Sequence, residues 1–276
     1  MNNIFLLIIC LLASSPSVKS GTEDEFLKAF QKGLEKSIKS YIRNNLEILS
    51  QILKKPSVVE TPTYPKQLTP QVIDKALLNL KRALPETIPM FPFAVAEPIT
   101  SVDILFFFGI LNSRFKNLTD FICSSQVENS VSTSSIGVNF HINSSSLEGH
   151  YELDVSNYDM HLYGDGDYRI TTNGTDIAFH TNIEISMDDS FTMRDFIFNV
   201  SITTAELTMT NLLNGDPSAN NLTDYVSKLM PAEVATMNDM FQQTVNSSVV
   251  HFTNDYIASI MSWREIVDFV YILAEI

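Results

Sequence analysis

The sequence predicts an α+β protein: a strongly curved antiparallel sheet wrapped around a long, kinked C-terminal helix, with an extra helix near the N-terminus. Three observations predict it. Successive segments between residues 135 and 202 alternate apolar and polar side chains, the pattern of a sheet with one greasy and one wet face. Residues 221–260 carry apolar side chains at helical spacing. Only Cys123 remains once an N-terminal leader is removed, so no intrachain disulfide is available and one shared apolar core must hold sheet and helix together.

The leader is residues 1–20, MNNIFLLIICLLASSPSVKS. Its apolar run from Ile4 to Ala13 is too short to span a bilayer, and Val18 and Ser20 are small enough for a cleavage site. It reads as a secretory signal peptide, although no Lys or Arg precedes the run. Asn117, Asn143, Asn173, Asn199, Asn221 and Asn246 each open an Asn-x-Ser/Thr triplet, which behind such a leader predicts a secreted, extracellular glycoprotein. Cys123 is expected to be a small buried apolar residue rather than a reactive thiol.

Residues 26–55 form the extra helix. Phe26, Phe30, Leu34, Ile38, Ile42, Leu46, Leu49 and Leu53 make an apolar stripe, and seven basic residues against two acidic ones give the segment a net charge of +5. Such a helix can lie on an anionic membrane, bind a partner, or dock on its own acidic body and so hide its stripe. Pro56 ends it, and a loop with Pro62, Pro65 and Pro70 follows. A second helix is expected over residues 70–84, with Thr69 as N-cap and Pro70 at the first helical position.

The four prolines of PETIPMFPFAVAEP, residues 85–98, preclude a regular helix and predict an extended segment leading into a strand at TSVDILFFFGILN. Four alternating segments come next. Ile136, Val138, Phe140 and Ile142 share a face in the first, Tyr151, Leu153 and Val155 in the second. Ile177, Phe179, Ile183 and Ile185 recur in the third, and Phe196, Phe198, Val200 and Ile202 in the fourth. Asn173-Gly174 predicts a hairpin turn, and short links make the whole a meander. In the terminal helix Met230, Val234, Met237, Phe241, Val245, Val249, Phe252 and Tyr256 share a stripe, while Glu233, Asp239, Gln243 and Asn246 can face out. Pro231 interrupts its hydrogen bonding, and Met230, Met237 and Met240 make the surroundings soft and adaptable. The last stretch, SWREIVDFVYILAEI, is apolar enough to cap the roll or to pair with another subunit.

The chain carries 18 basic and 32 acidic residues, a net charge of −14. From residue 113 onward 6 basic and 22 acidic residues leave −16, which argues against nucleic acid as a partner. No G-x-S-x-G elbow, P-loop or H-E-x-x-H sequence occurs, so neither an enzyme nor a cofactor is expected. His141, His150 and His180 alternate with apolar residues and are expected on the wet face, and no His pair has metal-ligand spacing. Asp165-Gly166-Asp167 lacks the other ligands of a calcium loop and reads as a strand-end turn.

Three stretches carry a family resemblance. LPETIPMFPFAVAEPI (84–99) precedes the first strand. LEGHYELDVSNYDMHLYGDGDYR (147–169) holds a G-x-Y and a G-x-G-x-aromatic pattern at Gly149, Tyr151, Gly164, Gly166 and Tyr168. The long helix of 221–256 has Pro231 near its start. In this order they resemble the insect juvenile hormone-binding/takeout family of the tubular lipid-binding (TULIP) superfamily. The chain lacks the N-terminal cysteine pair of many family members. In that, and in opening with a helix, it is similar to the mite group 7 allergens.

The resemblance implies a non-enzymatic carrier with an elongated apolar tunnel for a terpenoid, fatty acid or other lipid. Met230, Val234, Met237, Phe241, Val245, Phe140, Tyr151 and Phe198 are its expected lining, with Tyr151, Tyr163 and Tyr168 as candidate polar handles. The plain alternative is that the stripe is core, as apolar stripes at helical spacing usually are. The chain then divides into a signal peptide (1–20), the basic helix and its linker (21–69), a juvenile hormone-binding/takeout-like domain (70–260) and a tail (261–276). The rival functional class is a protein-interaction or membrane-surface module acting through 26–55.

Overall fold

The computed structural model describes residues 67–83, 87–89, 93–99, 104–117, 120–156 and 161–275. The expected signal peptide and the basic helix of 26–55 lie outside them. Helix α1 spans Pro70–Ala83. Thr69 caps it as the sequence predicts: the Val72 N–H donates to the Thr69 carbonyl at 3.1 Å and, more weakly, to Thr69 Oγ1 at 3.4 Å. Pro70 occupies the first helical position, where its missing N–H is harmless.

Among the described residues seven strands follow in one antiparallel sheet: β1 (Thr87–Pro89), β2 (Phe93–Ile99), β3 (Ile104–Lys116), β4 (Phe121–Asn129), β5 (Thr133–Ser156), β6 (His161–Ile185) and β7 (Phe191–Met209). β1 and β2 share one edge of β3. β3 and β4 share one edge of β5, with β4 against residues 134–142 and β3 against 146–156. β6 covers the other edge of β5, and β7 is the last strand. The α+β class and the long antiparallel sheet agree with expectation; the sheet is not closed on itself.

Its strands are longer than the sequence predicts. The segments at 135–143 and 150–155 belong to one 24-residue strand, β5, and Asn173-Gly174 lies inside the 25-residue β6 rather than at a hairpin. Asp165-Gly166-Asp167 is likewise mid-strand, not a strand-end turn. Gly174 does adopt the left-handed conformation a turn needs, with φ +60°, but spends it on a kink. Asn143, Gly174 and Thr203 stand level on β5, β6 and β7, where each ladder skips one pair. Across this row the buried side of each strand changes parity. Ile142 is buried on β5 below it and Tyr151, Leu153 and Val155 above; on β7 the apolar Phe196, Phe198, Val200 and Ile202 give way to buried Leu207.

After a 3₁₀ turn at Leu213–Gly215, helix α2 runs Ser218–Phe252 and passes into a π-helical turn at Thr253–Ile257. α2 remains helical through Pro231. It lies along β7 in the opposite direction, Ser227 meeting Leu207 and Asn254 meeting Met193. Helix α3, Trp263–Glu275, opens with a capping box in which the Ser262 N–H donates to Glu265 Oε2 at 2.7 Å and the Glu265 N–H to Ser262 Oγ at 3.3 Å.

Of the two roles open to the tail, α3 takes the cap. Val267 is buried with Leu68 and Ile73 of the α1 region, and Trp263, Val270, Val127, Ile136 and Val138 pack around them. Tyr271 Oη donates to the Gln67 carbonyl at 3.0 Å and Asn79 Nδ2 to the Leu273 carbonyl at 2.9 Å, fastening the two helices over one end of the sheet.

Candidate ligand-binding site

The apolar face of the sheet carries a continuous row of aromatic rings. Phe121 on β4 meets Phe140 on β5 edge-to-face at 5.2 Å between centroids, and Phe140 meets Phe179 on β6 at 5.6 Å. Phe179 then reaches Phe198 and Phe196 on β7 at 5.4 and 5.7 Å. The row follows from register: Val138 pairs with Phe179 and Phe179 with Phe198, so the alternation read from each segment alone lines up across β5, β6 and β7. All five rings are only half-buried, in contrast to the ends of the sheet.

Both ends are closed by core. The α1/α3 cap covers one. At the other, Tyr151, Leu153, Val155, Tyr168, Ile170 and Leu207 of the sheet are buried together with Val226, Met230 and Val234 of α2. Tyr151 is 1% exposed and its hydroxyl donates to the Thr210 carbonyl at 2.8 Å. Burial, and then the nearby Asp165 charge, push its phenol up to about 12. Tyr168 shares a 2.8 Å hydrogen bond with the Ser113 hydroxyl, and burial raises its phenol as well.

The glycine pattern has a packing cause here. A Cβ on Gly164 would stand 2.6 Å from Tyr151 Oη, and one on Gly166 2.3 Å from the Thr210 carbonyl oxygen. The bare backbone makes room for the tyrosine and for the segment at 210–212 that crosses it.

The expected lining therefore divides. Phe140 and Phe198 stand in the aromatic row, and Val245 is half-buried on α2. Tyr151, Met230 and Val234 are closed core. The side chains of Met237 and Phe241 lie outside the described residues. Tyr151 and Tyr168 have protein partners for their hydroxyls; half-buried Tyr163 packs on His161 at 4.7 Å. Phe121, Phe179 and Phe196 complete the row, and no local sequence signal marks them as site residues because the row exists only through register.

A polar seam joins α2 to the outer edge of β7. The N–H groups of Val200, Phe198, Phe196 and Met193 donate to the side-chain oxygens of Asn238, Gln242, Asn246 and Asn254, all at 2.8–2.9 Å. Asn238, Gln242 and Asn254 return their NH₂ groups to the carbonyls of Val200, Phe196 and Met193 at 2.7–2.9 Å. Asn246, expected to face out, instead faces the strand. The spacing of 238, 242 and 246 was the available signal: three amides four residues apart share one helix face.

Of the other sequon asparagines, Asn117, Asn143, Asn173, Asn199 and Asn221 are exposed. Asn199 Oδ1 accepts from Asn238 Nδ2 at 2.7 Å, and Asn173 Nδ2 donates to Thr204 Oγ1 at 3.3 Å.

The polar face carries His141 at 2.7 Å from Asp176, and that hydrogen bond raises the imidazole's basicity. His150 reaches Asp165 at 2.8 Å, and His161 reaches Asp154 at 2.9 Å. His180 bonds Ser135 Oγ at 3.0 Å. Among the described residues no three His, Cys, Asp or Glu side chains converge as metal ligands. A groove of about 550 Å³ on this face is lined by charged and hydroxyl groups, including Arg114, Glu148, Asp167, Arg169 and Thr208, and does not suit an apolar molecule. Cys123 is half-buried rather than buried, and desolvation, then the Asp74 charge, hold its thiol above the usual range.

Comparison with known proteins places the chain. The structure of Takeout 1 from Epiphyas postvittana is 14% identical, with 63% of this chain and 80% of that one covered at a TM-score of 0.42. A lipopolysaccharide binding protein structure is also 14% identical over 64% of this chain, but only 38% of its own length is spanned, at a TM-score of 0.30. No curated protein matches. The family model of the haemolymph juvenile hormone binding proteins matches residues 48–268, and the chain belongs to that family.

Proposed function

We propose that this protein is a secreted, non-enzymatic carrier that holds a hydrophobic small molecule, such as a terpenoid, fatty acid or other lipid, against the aromatic row. The observation that carries the reading is the half-burial of Phe121, Phe140, Phe179, Phe196 and Phe198 between two fully buried ends. Apolar rings left partly uncovered on the inner face of a sheet are the place where an apolar ligand gains most. Membership of a family named for binding juvenile hormone supports a small-molecule ligand. The leader and the sequons support an extracellular setting.

Covering ~300 Å² of apolar ligand surface contributes about 7 kcal/mol before ordering costs of several kcal/mol. Burial of that area alone gives weak binding, no tighter than about 10 μM. Because Tyr151 and Tyr168 already bond protein groups, the affinity comes from shape and apolar area rather than from a tyrosine handle.

The test is mass spectrometry of an organic extract of the purified secreted protein, beside an unrelated secreted control. A lipid enriched over the control in the wild type, and reduced in a folded Phe179→Ala variant, is the expected result. An empty protein that also fails to bind an apolar fluorescent probe overturns the reading.

A further inference from the structure

We propose that the second half of α2 is a strap, and that opening of its amide seam with β7 is the lateral portal through which an apolar ligand reaches the aromatic row. This rests on the carrier reading above.

The two halves of α2 are held differently. As far as Val234, one turn past Pro231, the helix is anchored by burial: Val226, Met230 and Val234 are each below 5% exposed. There a single side chain, Ser227, serves the strand, its Oγ accepting from the Leu207 N–H at 2.8 Å. Of the described side chains from Asn238 to Phe252 none is fully buried, and the helix and the turn after it meet β7 through the side-chain amides of Asn238, Gln242, Asn246 and Asn254. Pro231 lies just ahead of the change. It has no N–H to offer the Ser227 carbonyl, so one rung of the helix is missing within the last anchored turn. The far end of the strap runs into the π-helical turn Thr253–Ile257, a second departure from α geometry.

The seam opens onto the right place. The N–H groups of Phe196 and Phe198 are two of the four it covers, and the rings of those two residues end the aromatic row. Opening does not orphan the strand. β7 is the outer strand, so water can take over each N–H and carbonyl that an amide releases. Apolar burial has no such substitute. A helix half held by replaceable bonds therefore opens before the half held by its core.

Amide hydrogen exchange on the full-length secreted protein, read at Phe196, Phe198 and Val200 against Leu207, tests the strap. Release of bound N-phenyl-1-naphthylamine tests the portal. The seam amides should exchange at least about ten-fold faster than Leu207. Gln242→Leu removes two bonds of the seam and should accelerate both seam exchange and probe release while leaving Leu207 unchanged. Gln242→Glu keeps the shape but at neutral pH loses the donor to the Phe196 carbonyl, and should act in the same direction. Seam amides as slow as Leu207, or variants that leave probe release unaltered, overturn the strap while the carrier reading stands. A wild type that binds no probe overturns the carrier reading and the portal with it.

Discussion

A double-mutant cycle between Tyr151 and Gly164 tests the packing that the glycine pattern records. Tyr151→Phe removes the bond to the Thr210 carbonyl and leaves that acceptor unmatched at a site where the tyrosine is 1% exposed. The expected loss is about 1–2 kcal/mol. Gly164→Ala places a Cβ 2.6 Å from the tyrosine oxygen, inside contact distance, and 3.1 Å from Leu212 Cα. Overpacking of this kind costs about 1–3 kcal/mol. In the double variant the oxygen is gone, and the tightest remaining contacts are Leu212 Cα at 3.1 Å and Tyr151 Cε2 at 3.2 Å. The double variant should then be more stable than the sum of the singles predicts, by about 1 kcal/mol. Urea unfolding midpoints at unchanged slope supply the numbers. Strict additivity to within about 0.3 kcal/mol, or a neutral Gly164→Ala, would refute the claim that the glycine makes room for the tyrosine hydroxyl.

Two further predictions follow from the same sheet. Gly166→Ala drives a Cβ to 2.3 Å from the Thr210 carbonyl oxygen and should lower stability by about 1–3 kcal/mol, whereas at Gly137 the nearest atom is 3.8 Å away and alanine should be neutral or stabilise by up to about 1 kcal/mol. Thermal unfolding of the pair decides it, and equal effects would sink the close-approach argument. The Lys116 ammonium and then the Arg169 guanidinium hold the Glu148 carboxyl below its usual range, so its contribution is present above the unfolded carboxylate value and is lost as pH falls through the lower folded one. The stability gap between wild type and Glu148→Gln, read from urea unfolding, should be small, below about 1 kcal/mol for an ion pair at the surface, and should close below about pH 4. A gap that stays constant down to pH 2 contradicts the ion pairing.

Much of this was legible because it is local. Thr69-Pro70 announced the start of α1, and the spacing of Val226, Met230 and Val234 follows from one helix period. Alternation in each β segment named the inner face correctly, Phe140, Phe179 and Phe198 included. What failed was continuity. Asn173-Gly174 requests a left-handed backbone, and a hairpin and a mid-strand kink make the same request; only the pairing of Asn173 with Ser144 and Thr204, and of Thr175 with Ile142 and Ile202, distinguishes them. The parity change across Asn143 reinforced the error, since two apolar faces on opposite parities read most simply as two strands. The amide seam was hidden for a related reason. Polar residues along one helix face ordinarily meet water, and their partner here is a strand edge, which depends on sheet order rather than on any neighbouring residue.

The open sheet also accounts for where the uncovered apolar surface falls. Each end of the long strands is matched by a helix that buries against it: α1 and α3 over Val127, Ile136 and Val138, and the first half of α2 over Leu207. Between those ends the second half of α2 is turned so that its amides face the edge of β7. A helix that satisfies a strand edge with side chains must sit beside the strand, and it gives up part of the contact a helix lying flat on the sheet would make. The aromatic rings compensate by packing on one another across four strands, edge-to-face between β4, β5 and β6. Such a row is self-supporting when empty, because its contacts run within the sheet layer. It still leaves ring surface to be covered, because no second layer is pressed fully against it. One geometric choice, edge-facing amides on α2, thus protects β7 from pairing with another chain and leaves half-buried ring surface on the inner face of the sheet.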